Sequence, residues 1–147
     1  MTAWTERLDR IVAGEQQKPP VVELLRTPGL TRWAPGEVET TWSVDPDFFS
    51  IGGSLFGGYV AALADQVGCH AILTLLPDNE IPRTVSLSTD YLRPIRDGSV
   101  DIRARVVNFG RELINVAVEF RNGGDLAATA RLIATRKAIP NQATPNR

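Results

Sequence analysis

Between residues 57 and 76 the chain reads GGYVAALADQVGCHAILTLL, apolar at almost every position. Val60, Leu63, Val67, Ala71 and Thr74 fall within one narrow arc at about 100° per residue, which predicts a long helix over 57–76 with one side pressed into a core. The polar stretch Pro77-Asp78-Asn79-Glu80 ends it. Upstream, Trp4, Leu8, Ile11 and Val12 follow an i, i+4, i+7, i+8 spacing and predict an amphipathic helix over 3–17, stopped by Pro19-Pro20. Loops with turn signals at Pro28-Gly29 and Pro35-Gly36 follow. A period of two then takes over at 37–44, with Val38, Thr40, Trp42 and Val44 on one side. Ser54 is a candidate cap for the long helix.

Beyond the helix the period of two recurs four times, over 84–92, 100–107, 113–120 and the Ala-rich 126–136. The connections Asp97-Gly98, Asn108-Phe109-Gly110-Arg111 and Asn122-Gly123-Gly124-Asp125 are short and tolerate positive φ, so these strands pair antiparallel. One face of such a sheet needs a cover, and the long helix supplies it. The expected fold class is therefore α+β, a long central helix wrapped by a curved antiparallel sheet. The whole of 1–147 reads as one domain: an N-terminal helix and loop extension over 1–36, a core over 37–138 and a flexible tail over 139–147.

Composition narrows the function. The net charge is −1 and the arginines are dispersed, which argues against nucleic acid as a partner. Asp65, Gln66 and His70 interrupt the apolar run, so it reads as a buried helix and not a membrane span. MTAWTERLDR has no apolar segment of a secretory signal, and Cys69 is the single cysteine, so the expected location is the cytoplasm. GGSLFGG lacks the Lys-Ser/Thr end of a phosphate loop and is not a G-x-S-x-G elbow. One His and one Cys offer no metal-ligand spacing, so neither metal nor other cofactor is expected.

The position of Asp65 is the chemical clue. On the helical wheel Gly58, Ala61, Ala62, Cys69 and Ile72 lie within about 60° of it, and Leu63 and Val67 lie on the other side. A solvated face would carry Lys, Glu or Gln; small residues instead admit a second backbone or a slender ligand. Asp65 is then either an edge residue at the water boundary or a carboxylate in a partly dry groove, where it can act as a base. If the helix begins at Gly57-Gly58, its first N–H groups are unpaired, uncovered by side chains and able to hold an oxyanion. His70 lies about 140° round from Asp65 and reads as a core or edge histidine.

The segment Ser50-x-x-Gly53-x-x-Phe56-Gly57-Gly58-x4-Leu63-Ala64-Asp65, followed by Thr84-x6-Tyr91-x-x-Pro94, resembles the hot-dog-fold thioesterases of the phenylacetate-pathway (PaaI-like) type. Gly110-Arg111 and the Ala-rich last strand fit the same pattern, and the likeness covers roughly 37–138. The resemblance implies a homodimer, often a dimer of dimers, with active sites at the subunit interface and acyl-CoA as substrate. It implies that Asp65 is the general base or nucleophile, that the Gly57 N–H of the other subunit polarises the thioester carbonyl, and that the Thr84 hydroxyl positions the attacking water. Two positions depart from the family pattern Asn-x-x-Gly-x-x-His-Gly-Gly: Ser50 replaces the Asn and Phe56 the His. With Gly58 they are expected to line the acyl pocket. Arg93, Arg111, Arg136 and Lys137, at strand ends and turns, are candidates for the nucleotide phosphates. Two other readings are a non-catalytic acyl-thioester binding protein and an enoyl-thioester hydratase or dehydratase.

Overall fold

A computed structural model of the chain describes residues 1–140. Of the tail expected to be flexible, 141–147 lie outside the described residues. Helix α1 runs Ala3–Ala13. Thr2 accepts from the Thr5 N–H and the Thr5 hydroxyl accepts from the Thr2 N–H, so two otherwise orphaned donors are satisfied. Gly14, at φ 74°, closes the helix in the left-handed conformation. The helix therefore stops four residues short of the predicted end, and Pro19-Pro20 is not its terminator. Pro20 instead opens a second helix, α2 (Pro20–Leu25), at the first-turn position where a missing N–H costs nothing. A helix of six residues is too short to display a period, and the sequence pattern predicts only loop there.

The sheet has six strands: β1 (Arg32–Ala34), β2 (Glu37–Ser43), β3 (Glu80–Tyr91), β4 (Ser99–Phe109), β5 (Leu113–Asn122) and β6 (Asp125–Ala138). Their order is β1-β2-β4-β5-β6-β3, antiparallel throughout. The hydrophobic pattern predicts five of them; β1, only three residues long, falls within the predicted loop extension. β3 begins four residues earlier than predicted and runs through Pro82. It has a neighbour on one side only, where proline is tolerated.

Helix α3 (Gly57–Leu73) lies across the inner face of the sheet. Its predicted core arc is buried: Val60, Leu63, Val67 and Ala71 are each at most 2% exposed, packed with Val100, Ile102, Val116, Val118 and Leu132. The approach is close, since a methyl at Gly68 would already touch Leu132 Cδ1 at 3.4 Å. The helix ends three residues before the predicted 76, where Thr74 turns its hydroxyl back to Ala71 O at 2.7 Å and accepts from Gly36 N. Ser54 does not cap the start; Phe56 occupies that position and offers no side-chain bond.

Around the wrapped helix, the N-terminal segment is pinned at several points. Trp4 Nε1 donates to Glu80 O at 3.0 Å, and the Tyr59 hydroxyl donates to Leu25 O at 2.8 Å while its ring stacks on Phe48. Helices α1 and α2 are thereby held beside α3. Among the described residues no helix is long and apolar enough to cross a membrane.

Candidate active site

Asp65 sits midway along α3, half-buried, with half-buried Ala61, Ala62 and Cys69 on its face of the helix. Ile72, assigned to the same face, is fully buried, because the helix end dips into the core there. The Thr84 hydroxyl, on β3, donates to Asp65 Oδ1 at 2.7 Å. Cys69 Sγ lies 3.7 Å from the same hydroxyl. Burial and then the Asp65 charge push the Cys69 thiol up to about 11, so it remains a neutral thiol beside the carboxylate. A β-bulge between Thr84 and Ser86 shifts the pairing of β3 with β6. It breaks the expected inward alternation, and Val85 is 57% exposed.

At the head of α3 the Gly57 and Gly58 N–H groups find no acceptor among the described residues; the first backbone bonds of the helix are those of Tyr59 and Val60 to Phe56 O. Tyr91, at the end of β3, donates its hydroxyl to Gly57 O at 2.6 Å and fixes this turn in place. Gly57 also lies close to the Tyr91 ring: a Cβ there would meet it at 3.2 Å, so the half-exposed ring would have to give by a few tenths of an ångström. Sequence reasoning gives Tyr91 no role at the site, since the partners are 34 residues apart and nothing local marks the pair. Next to the two glycines lies a cavity of about 500 Å³, lined by Phe56, Gly57, Gly58, Tyr91 and Arg93 among others. That is an ordinary size for a small-molecule site.

The remaining candidates divide. Ser50 is exposed in the turn before α3, its hydroxyl 3.4 Å from Ser54 O, and it does not line the cavity. Arg111 and Lys137 are exposed and also lie away from it. Arg136 is already engaged: it holds Glu80 through a bond of 2.7 Å, donates to Gly110 O and lies over the Phe109 ring. Arg93 is the cation of the set that borders the glycine cavity, with only a 3.7 Å pair to Asp125 at the surface.

His70 takes no part in this arrangement. It is 9% exposed, on another side of α3, and burial followed by the nearby Arg7 charge lowers it to about 4. An unfolded histidine titrates near ~6.5, so between those values only the unfolded chain binds the proton. The stability that neutral His70 contributes is complete above about pH 6.5 and lost as pH falls toward 4, by about 2 kcal/mol at pH 5. His70→Gln is therefore expected to flatten the fall in melting temperature between pH 7 and pH 5; parallel falls in the two proteins would contradict this.

The fold and this geometry, a helix carboxylate bonded to a hydroxyl of β3 on a sheet-wrapped helix whose first N–H groups have no acceptor among the described residues, define a hot-dog thioesterase fold. Residues 52–129 match the family model described as Thioesterase superfamily, more than half of the chain, and the chain belongs to that superfamily. Among solved structures it is similar to a point mutant of phenylacetic acid degradation protein PaaI from Thermus thermophilus. The identity is 31%, with 81% of this chain and 100% of that chain covered and a TM-score of 0.72. It is also similar to a thioesterase from Haemophilus influenzae, at 25% identity, 84% and 87% coverage and a TM-score of 0.76. A Caenorhabditis elegans protein whose name provisionally makes it an esterase is 33% identical over 91 residues, 61% of this chain and 53% of that one. The chain spans about half the length of the first curated relatives it matches.

Proposed function

We propose that the chain hydrolyses acyl-CoA thioesters at a site shared between two subunits, with Asp65 as general base or nucleophile. The observation that carries this reading is the 2.7 Å bond from the Thr84 hydroxyl to the Asp65 carboxylate, on the helix of a thioesterase-superfamily chain. In the general-base form, Asp65 takes a proton from water as the water oxygen attacks the thioester carbon. The carbonyl oxygen becomes an oxyanion held by the Gly57 N–H. The tetrahedral intermediate then collapses, the C–S bond breaks, and the CoA sulfur leaves with the proton from Asp65, giving a carboxylic acid and a thiol. In the nucleophile form, the Asp65 carboxylate attacks the carbon itself, the C–S bond breaks and the CoA thiolate leaves as a mixed anhydride forms; water then cleaves the anhydride, giving the carboxylic acid, restoring the Asp65 carboxylate and leaving a proton for the thiolate. Thr84 orients Asp65 or the water in either form.

Length supports a second subunit. Gly57 and Asp65 are eight residues apart on one helix, about 12 Å along its axis, too far for both to reach one carbonyl group. Two copies running in opposite directions bring the Gly57 of one beside the Asp65 of the other. The open edge of β3, with Val85 57% and Tyr91 54% exposed, supports a homodimer through this side. Arg93 is the favoured contact for the CoA phosphates because it borders the glycine cavity. A CoA-dependent enzyme with one free cysteine suits the reducing cytoplasm.

The test is release of free thiol from a panel of acyl-CoAs. Hydrolysis of at least one of them with kcat/KM of about 10⁴ M⁻¹s⁻¹ or more is expected; binding without release would favour the acyl-thioester binding reading. Phe56, 57% exposed at the cavity, offers only apolar surface to a ligand. Phe56→Ala is expected to change the order of preference among acyl groups more than it changes turnover on the best of them. An equal, large loss on every substrate would instead mean that Phe56 positions the helix start.

A further inference from the structure

We propose that the cavity enclosed by α1, α2 and α3 is a second ligand site, separate from the Asp65 site, and that it takes a small organic monocarboxylate. The cavity measures about 250 Å³ and is bounded by the end of α1, the loop to α2, and Gln66 and His70 of α3. It shares no lining residue with the cavity at Phe56–Gly58. Gln66 and His70 lie about 100° and 140° round the helix from Asp65, so the two sites are on different sides of α3.

Two residues of its wall carry covered polar atoms that are unpaired. Among the described residues, two buried side-chain polar atoms have no hydrogen-bond partner, Thr27 Oγ1 and His70 Nδ1, and both residues line this one cavity. A buried polar atom left unpaired is costly, and few native ones are. At His70 the kind of partner needed is readable. Gln66 Nε2 can only donate, and it lies 3.4 Å from His70 Nε2. In the tautomer whose Nε2 accepts from Gln66, the neutral ring carries its proton on Nδ1, which is then a donor lacking an acceptor.

Charge agrees with this. Arg7 and Lys18 line the cavity, no Asp or Glu does, and neither cation has a carboxylate partner among the described residues. Two positive charges with no carboxylate in the wall to balance them favour an anion. Gln16 and Gln17 also line the cavity, and beside them Ile11, Pro19, Val22 and Pro28 give an apolar stretch that suits a short hydrocarbon body. The volume lies just below the range of about 300–1,000 Å³ usual for drug-sized ligands and well above the ~30 Å³ of one water. A singly charged carboxylate on a short apolar frame meets each of these conditions. The inference does not depend on the role given to Asp65.

His70 is the only histidine in the chain, so its ring N–H gives a single assignable signal in the ¹⁵N-labelled full-length protein. Benzoate and hexanoate are the probes, with benzamide and hexanamide as neutral counterparts. Both acids are expected to shift the His70 signal saturably and the amides to leave it in place. Arg7→Gln and Lys18→Gln, both changes on solvent-accessible side chains, are each expected to weaken acid binding, the first by about tenfold or more. Asp65→Asn is expected to leave the affinity unchanged. The proposal is overturned if neither acid moves the signal at about 10 mM, as it is if the amides act equally. It also fails if both charge variants, folded by thermal melt, bind as the parent does. Loss of the shift in the Asp65→Asn protein would mean that the acids bind at the Asp65 site and that the cavity is not a separate one.

Discussion

Asp65→Asn is expected to lower kcat on a good acyl-CoA substrate by at least about 10²-fold, because a positioned base typically contributes about 10² to 10⁴. The substitution keeps the shape of the side chain and its ability to accept from the Thr84 hydroxyl, so the 2.7 Å contact survives. What it removes is the negative charge and the basic lone pair. Holding a carboxylate half out of water beside a half-buried thiol and small apolar residues is a cost to folding, not a gain. The Asn protein should accordingly melt at the same temperature or higher, and bind a CoA ligand about as well as the parent. Steady-state hydrolysis alongside thermal melts checks both expectations. A folded variant with near-parental kcat would make Asp65 a structural residue and favour a binding function.

Gly57→Pro should produce a loss of similar size by a different route, about 10²- to 10³-fold in kcat, by deleting one oxyanion donor. Proline is at home in the first position of a helix, and it requires an extended residue before it. Phe56, at φ −59° and ψ 128°, already has that conformation. At Cβ the steric demand is a shift of a few tenths of an ångström in the half-exposed Tyr91 ring. The two variants together test the shared site. If each site draws Gly57 from one subunit and Asp65 from the other, a mixed dimer has one site with both lesions and one with none. Random exchange of equal amounts then restores about a quarter of the parental rate: half the dimers are mixed, and each has one intact site of two. A site built within one chain always carries a lesion, so mixed dimers with no recovered activity would refute the shared arrangement.

The parts of this protein that are legible in the sequence are those with a long, repeated period. The buried arc of α3 and the strands β4, β5 and β6 can be read because burial imposes a spacing of 3.6 or 2 on many consecutive residues. The antiparallel order follows from short glycine-containing turns, such as that at Gly123 and Gly124, both at positive φ. α2 and β1 escape because six and three residues cannot express a period. β3 departs from its predicted start and alternation because Pro82 and a bulge are allowed on an edge strand, and only the sheet order makes it an edge.

The candidate site divides in the same way. The oddity of a carboxylate in an apolar helix, and of a glycine pair at its head, is local and stands in the sequence itself. Contacts between residues far apart in the chain are not. That Thr84 donates to Asp65, that Tyr91 clamps Gly57, and that Arg136 is held by Glu80 while Arg93 borders the glycine cavity all depend on where the sheet edge falls against the helix. The cavity between α1, α2 and α3 belongs wholly to the tertiary structure, because Arg7, Thr27 and His70 come together only when three helices pack. By itself the sequence determines which chemical groups are available and which faces must be buried, since both are properties of short stretches of chain. Packing decides which of those groups meet and which are left unpaired, since that depends on distances no stretch of chain records.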